Sequence, residues 1–316
     1  MQVLKTKTIF HLTQIALCCL SLTAQATEEN LFGDDLPSPV KKSTETGNGI
    51  KGFVQFEAAH TTASPEHWSK LRTRADLSSQ GKLSDSVKWK LGARFDYDAV
   101  YSINDFYNSD VEKDQRVNVV LRENYLDYSA GNWDFRLGRQ HVVWGEMVGF
   151  FFADVVSARD MREFLLPDFD QLRTPQWAAR AEYFADDYHA ELLWIPVATY
   201  DDIGKPGGEF YPNQPVPPGF NVRYQQELRP ERNAENMNYG LRLSTLKNGW
   251  DVSAFYYRST DINQTFYREI IIAPTPTLVY QARHDRINQT GGTLAKDFGD
   301  VVLKGEAVYT RGRSFT

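Results

Sequence analysis

Between Val87 and Asp98 the chain alternates without a break. Val87, Trp89, Leu91, Ala93, Phe95 and Tyr97 fall on one side, and Lys88, Lys90, Arg94, Asp96 and Asp98 on the other. Successive side chains of a β-strand point to opposite faces, so this pattern demands one apolar and one wet face. The run is 12 residues long, which matches a tilted transmembrane strand better than a typical sandwich strand. A Lys or Arg facing lipid at mid-bilayer costs about 2–4 kcal/mol. The charged face of such a strand must therefore line a lumen.

Other stretches repeat the pattern more weakly. Strands are expected at 50–61, with Val54, Phe56 and Ala58 on one face, and at 67–78, where Leu71, Thr73, Ala75 and Leu77 alternate with Arg72, Arg74 and Asp76. Further strands are expected at about 116–129, 132–140, 177–186, 188–196, 237–247, 250–259, 282–297 and 300–312. After the first hairpin the connections alternate strictly between short and long. Outer-membrane barrels do this, with tight periplasmic turns and long external loops, whereas the Greek-key crossings of a soluble sandwich give no reason for it. In hydrocarbon every backbone N–H and C=O needs a partner, so strands cross only as a closed barrel. The predicted fold is all-β: an antiparallel transmembrane β-barrel with long external loops over residues 50–316. The eleven expected strands are an odd number, and the last would end on the external side. Bacterial single-chain barrels have an even number, so the barrel is expected to be incomplete at the C-terminus.

Targeting agrees with that fold. Lys5 and Lys7, the apolar run Ile15 to Leu22 and Ala24-Gln25-Ala26 read as a secretory signal over 1–26. Leu17 and Cys18 sit poorly before a lipidated cysteine, and both cysteines fall in the part expected to be removed. Residues 27–49 are polar, rich in Ser, Thr, Asp and Pro, and read as a poorly ordered periplasmic lead-in. The formal net charge is −6, and loss of the two signal lysines makes it more negative, which argues against a general nucleic-acid binder. Mean hydropathy is −0.49 with no long apolar run after the signal, which excludes a helical membrane protein but not a barrel. The 7 Trp and 16 Tyr fit either interfacial girdles or an aromatic-rich soluble core.

One segment departs from the strand-and-turn rhythm. From Phe135 to Gln176 the chain is dense in charge, with Arg139, Glu146, Asp154, Arg159, Asp160, Arg162, Glu163, Asp168, Asp170 and Arg173 around a Trp144-Gly145-Glu146 corner. The predicted arrangement is a charged loop, 141–176, folded into the lumen. Opposed acids and bases there would narrow a pore and select solutes by charge and size; the same residues also suit a salt-bridged loop that braces or plugs the barrel. A short helix over 159–166 would put Arg159, Arg162 and Glu163 on one face. Arg72, Arg74, Lys88, Lys90 and Arg94 are expected to line the lumen.

Asp168-Phe169-Asp170 with Asp160 is a weak Ca²⁺ pattern, since Ca²⁺ takes 6–8 oxygens, and no metal or cofactor is expected. His141 near Glu146 invites a catalytic role, but there is no nucleophile-elbow serine and no His-Glu-x-x-His, so no enzyme is expected. The proline- and glycine-rich loop 197–236, with Phe210, Tyr211 and Phe220, reads as a stiff external cap.

The stretches LRENYLDYSAGNWDFRLGRQHVVWGE and DVVSARDMREFLLPDFDQLRTP, with DDIGKPGGEFYP at 201–212, resemble an uncharacterised family of Gram-negative outer-membrane, porin-like proteins. This chain has Ser157-Ala158 where that family usually has Asn-Pro. The resemblance implies the cell outer membrane, a chain longer than this one, and handling of hydrophobic or amphipathic small molecules. It also implies genetic association with RND-type transporters and a periplasmic partner. The expected function is an outer-membrane channel in contact with lipid and passing a small solute. Two alternatives are a non-conducting accessory barrel of an envelope transport system and a lipid-acting barrel enzyme.

Overall fold

The computed structural model describes residues 49–145, 153–214, 216–299 and 301–314. The predicted signal, the lead-in up to residue 48 and Glu146 lie outside the described residues.

The first strands are β1 (Ile50–Thr61), β2 (His67–Lys82), β3 (Val87–Asp98), β4 (Val117–Leu121), β5 (Asn124–Ala130) and β6 (Trp133–Gln140). Two short strands follow, β7 (Ala158–Arg159) and β8 (Arg173–Thr174), then β9 (Gln176–Ala185), β10 (Tyr188–Val197) and β11 (Asn221–Leu228). The chain continues with β12 (Asn238–Lys247), β13 (Trp250–Thr260), β14 (Thr265–Ile271), β15 (Thr277–Arg283), β16 (Arg286–Asp297) and β17 (Val302–Arg311).

Twelve of these form one sheet in the order β1-β2-β3-β5-β6-β9-β10-β12-β13-β16-β17, with β4 also paired to β3. Every neighbour in it is antiparallel. The sheet is thus a meander, with β1 and β17 as its edges among the described residues. Its tight turns follow local chemistry. Between β12 and β13, Asn248 (φ 53°) and Gly249 (φ 72°) both take positive φ, the signature of a two-residue hairpin turn.

Burial is inverted relative to a soluble sheet. Along β3, Leu91, Ala93, Phe95 and Tyr97 are exposed, while Gly92, Arg94, Asp96 and Asp98 are buried. On β10, Leu192 is 54% exposed and Glu191 only 3%. Large apolar side chains on the outside with charges inside suit a wall whose outer solvent is lipid, the pattern of a transmembrane β-barrel. Among the described residues no helix is long and apolar enough to cross a membrane, which says nothing of crossing by strands.

Ten of the eleven expected strands match main-sheet strands to within a few residues. The expected strand at 116–129 is two, because the ladder on β3 breaks at Arg122-Glu123. The strand expected from 282 starts at Arg286. Residues 277–283 instead join a second, three-stranded sheet, β11-β15-β14, whose β11–β15 pair is parallel. The long connection after β3 holds two short helices, α1 (Val100–Ile103) and α2 (Ser109–Gln115). Asn108 caps α2 by accepting from the Asp110 and Val111 amides.

Candidate functional site: the inward loop and its socket

The connection from β6 to β9 lies against the inner face of the sheet, and its two halves meet two different surfaces. The first half is apolar. Val142, Trp144, Ala153, Val155 and Val156 form one buried cluster with Ala178, Leu193, Ile195, Phe255 and Tyr257 of β9, β10 and β13. The Trp144 indole N–H donates to the Glu191 carboxylate at 3.1 Å. The ring rests on Gly240 of β12, where a Cβ would stand 2.6 Å from the indole and 2.9 Å from the Tyr257 ring. Glycine is what lets the indole reach the sheet backbone.

Polar bonds close this half of the loop. Ser157 Oγ donates to the Val142 carbonyl at 2.9 Å. Gln176 Nε2 donates to the Val156 and Thr199 carbonyls, both at 3.0 Å, and the Thr199 amide donates back to Gln176 Oε1 at 2.7 Å. The Glu306 carboxylate of β17 accepts from the Ala153 amide at 3.0 Å.

The second half is charged and meets the charged faces of β2 and β3. Arg162 grips Asp160 through Nε (2.8 Å) and Nη2 (2.7 Å), and Arg94 reaches the same carboxylate at 3.1 Å. Burial works against the Asp160 charge, but bonds and charge from Arg162, with Arg94 behind them, outweigh it and hold the carboxyl well below the ordinary Asp range. Arg162 is held above its ordinary value by the same pairing against its own burial. Glu163 is bound by both Lys70 and Arg72, and Arg72 also bonds Glu57. Arg74 forks onto Asp96 at 2.6 and 3.1 Å and donates to the Gln171 side chain at 2.6 Å.

A third contact ties the loop to the connection after β10. The Asp201 carboxylate accepts the Arg159 amide at 2.7 Å, and the Arg159 guanidinium stands 4.0 Å away. Burial pushes Asp201 up to about 7, with Arg159 opposing it and Asp261 adding to it. Arg173 donates to the Asp154 carboxylate at 3.0 Å, and β7 pairs with β8 to set Arg159 opposite Arg173.

Asp160, Arg162 and Glu163 therefore bind the charged wall, Asp154, Arg159 and Arg173 bind one another and Asp201, and Trp144 serves the apolar end. Four expectations are corrected. The helix over 159–166 does not form, because β7 and a turn at 161–165 bring Asp160 and Glu163 to the wall. A single helical turn, α3 (Phe169–Leu172), lies further on. Asp168 and Asp170 are exposed beside it; Arg122 bonds the Asp170 carbonyl, not its carboxylate. Arg139 is half-buried, in register with Trp177 of β9, and joins none of these bonds. Arg72, Arg74 and Arg94 do face inward, yet they are the socket of the loop and not open lining. Lys90 pairs with Glu123 of the same wall, and Lys88 is exposed near the β2–β3 turn. Among the described residues no group of three or more His, Cys, Asp or Glu is placed to hold a metal.

Sequence reading missed Glu57, Gln171, Glu191, Asp201 and Glu306. Glu191 carried a signal, as the lone carboxylate between apolar neighbours on β10; Asp201-Asp202 is an acidic doublet opening a long loop. Gln171 and Glu306 carried none.

Fold and site together define an antiparallel barrel-type membrane protein with a loop packed into its interior. The chain belongs to the protein family of unknown function DUF1302, whose model matches residues 11–316. No curated protein matches it. Among solved structures it is similar to the loop L8 deletion mutant of OmpT, an outer membrane protein of Vibrio cholerae, at 11% identity and a TM-score of 0.39 over 84% of this chain and 70% of that one. It is similar to Salmonella typhi OmpF in complex with daunomycin at 12% identity and a TM-score of 0.39, over 85% of this chain and 67% of that one. A mutant of the Rh. blastica porin matches at 8% identity and a TM-score of 0.31, over 84% of each chain.

Proposed function

We propose that the protein is an outer-membrane, porin-like channel for small solutes, in which the inward loop sets the width and charge of the passage. One observation carries this reading: the loop is fixed at both ends to the inner wall, apolar contact at one and ion pairs at the other. A rigid charged constriction needs that kind of fixing. Space remains beside the loop. A cavity of about 240 Å³ lies between it and β13, β16 and β17, lined by Asp154, Arg159, Asp261, Gln289, Thr310 and Arg313. The lipid-facing apolar side chains support a membrane position, and the signal pattern with the long-loop, short-turn alternation supports the outer membrane.

The test is single-channel conductance of the full-length protein in a planar bilayer. Steady ohmic openings are expected, and Arg159→Ala with Arg162→Ala should raise conductance or change ion selectivity. A folded barrel that never opens would overturn the channel reading.

A second reading has its own observation. Against β2 and β3 the loop leaves only about 50 Å³, so that side of the lumen is filled. A closed barrel would suit an accessory component working with a periplasmic or RND-type partner. Stable co-purification with such a partner and no conductance would favour it.

A further inference from the structure

Above the loop, on the side of the long connections, lies a larger space that the constriction does not use. It measures about 910 Å³ and is walled by three connections far apart in sequence: α2, the segment 201–211 leading towards β11, and the small sheet with Gln264. Its volume falls within the range of pockets that hold drug-sized molecules, roughly 300–1,000 Å³.

The lining has two chemistries. Ile203, Tyr211, Tyr224 and Phe266 present apolar and aromatic surface and belong to one packed cluster. The Tyr211 and Tyr224 rings meet edge to face with centroids 5.6 Å apart. The Tyr224 hydroxyl accepts from the Gln214 amide at 3.0 Å, which fixes that ring. Around this wall stand the carboxylates of Asp110, Asp114, Asp202 and Glu227 against the cations of Lys113, Lys205 and Arg229. Two of those cations are engaged by acids of the lining, Lys205 by Asp114 at 3.5 Å and Arg229 by Glu227 at 2.9 Å. One carboxylate oxygen of Asp114, Oδ2, is buried and accepts no hydrogen bond. The space therefore combines π-faces with a small excess of acidic over basic side chains, and both attract a cation.

We propose that this vestibule is a binding site for amphipathic organic cations, with a flat apolar body against Tyr211, Tyr224 and Phe266 and a charged amine towards Asp110, Asp114 and Asp202. The proposal deepens the channel reading and rests on it, since it makes the vestibule the place where a solute is collected before the constriction. Anions of the same shape meet the same rings but the wrong charge.

The test uses full-length protein in detergent micelles, with matched empty micelles as reference. Cationic 9-aminoacridine is titrated and read by its fluorescence, and acridine-9-carboxylate serves as the anionic counterpart. Saturable binding is expected, with the cation preferred about tenfold or more. Tyr224→Ala should weaken cation binding about tenfold, a loss in the range of an aromatic contact with a cation. Asp110→Asn with Asp202→Asn keeps side-chain shape at two loop positions and should reduce the preference several-fold without weakening the carboxylate. Binding that never exceeds the empty micelles, equal affinity for the two probes, or an unchanged preference in the Asp110/Asp202 variant would each overturn the proposal. Conductance of the same preparation separates the two readings: openings without binding sink the vestibule site alone, and binding without openings sinks the channel alone.

Discussion

Arg94 of β3 donates to Asp160 of the inward loop at 3.1 Å, so wall and loop share one ion pair in a region where both side chains are largely shielded from water. Removing Arg94 takes away one of the two guanidiniums on Asp160 and leaves the Arg162 fork, so the cost should fall below the roughly 3–5 kcal/mol of a buried charge left with no partner. Arg94→Met should loosen the charged half of the loop around Asp160. Limited proteolysis checks this: cleavage within 141–176 is expected in the variant and not in the parent. Equal resistance would show that the remaining contacts, Glu163 with Lys70 and Arg72 among them, hold the loop without Arg94.

The apolar half depends on the fit of Trp144 over Gly240. A methyl group at 240 collides with the indole, the Tyr257 ring and, at 3.1 Å, the Tyr256 carbonyl. Overpacking of this kind costs about 1–3 kcal/mol. Gly240→Ala should therefore lower the unfolding midpoint and shift tryptophan emission. Trp144→Ala should cost more, about 3–5 kcal/mol. Gly240→Ala made in the Trp144→Ala background should then cost clearly less than it does alone, because the two share one contact.

Lipid exposure of the outer face gives a third expectation. Leu192 sits on that face, half exposed in a row with Leu241 of β12. Leu192→Lys should destabilise the protein by about 2–4 kcal/mol if the site lies near mid-bilayer. Urea titration in lipid vesicles would read it, and a variant as stable as the parent would place the residue out of the hydrocarbon.

Asp201 gives a pH dependence. Its carboxyl is raised from the ordinary Asp value to about 7 by burial. The folded state thus holds a proton that the unfolded state has already lost between about pH 4 and 7. Unfolding releases it, so stability falls as pH rises through that window and is level above it. Asp201→Asn retains an oxygen to accept the Arg159 amide and removes the titration. The melting temperature of the variant should lose that decline, and a slope unchanged from the parent's would exclude Asp201 as its source.

The barrel wall was legible because alternation is local. Each residue of 87–98 reports its own face, and the strand ends where the alternation ends. The two halves of the loop were legible only as a dense run of charge. Which charges meet depends on neighbours more than 60 residues away, as Arg94 and Asp160 are, or more than 150, as Ala153 and Glu306 are. Arg139 shows the same limit: its charge grouped it with the loop, whereas it pairs in register with Trp177 of β9 and takes no part in the loop's bonds. The parallel pairing of β11 with β15 left no trace, since Asn221 and Thr277 are joined through two intervening main strands.

The vestibule and the loop socket are built from largely different stretches of chain that meet at Asp201 and Asp202. The socket is made by strands of the main sheet, β2, β3, β10, β12 and β13 among them, while the vestibule comes from the long connections and the small sheet they carry. Exchanges at Lys113, Tyr211, Tyr224 or Phe266 can therefore reshape the proposed binding surface at the mouth without removing a bond that locks the loop below it. On the channel reading proposed above, selectivity can diverge between related chains while the scaffold stays the same.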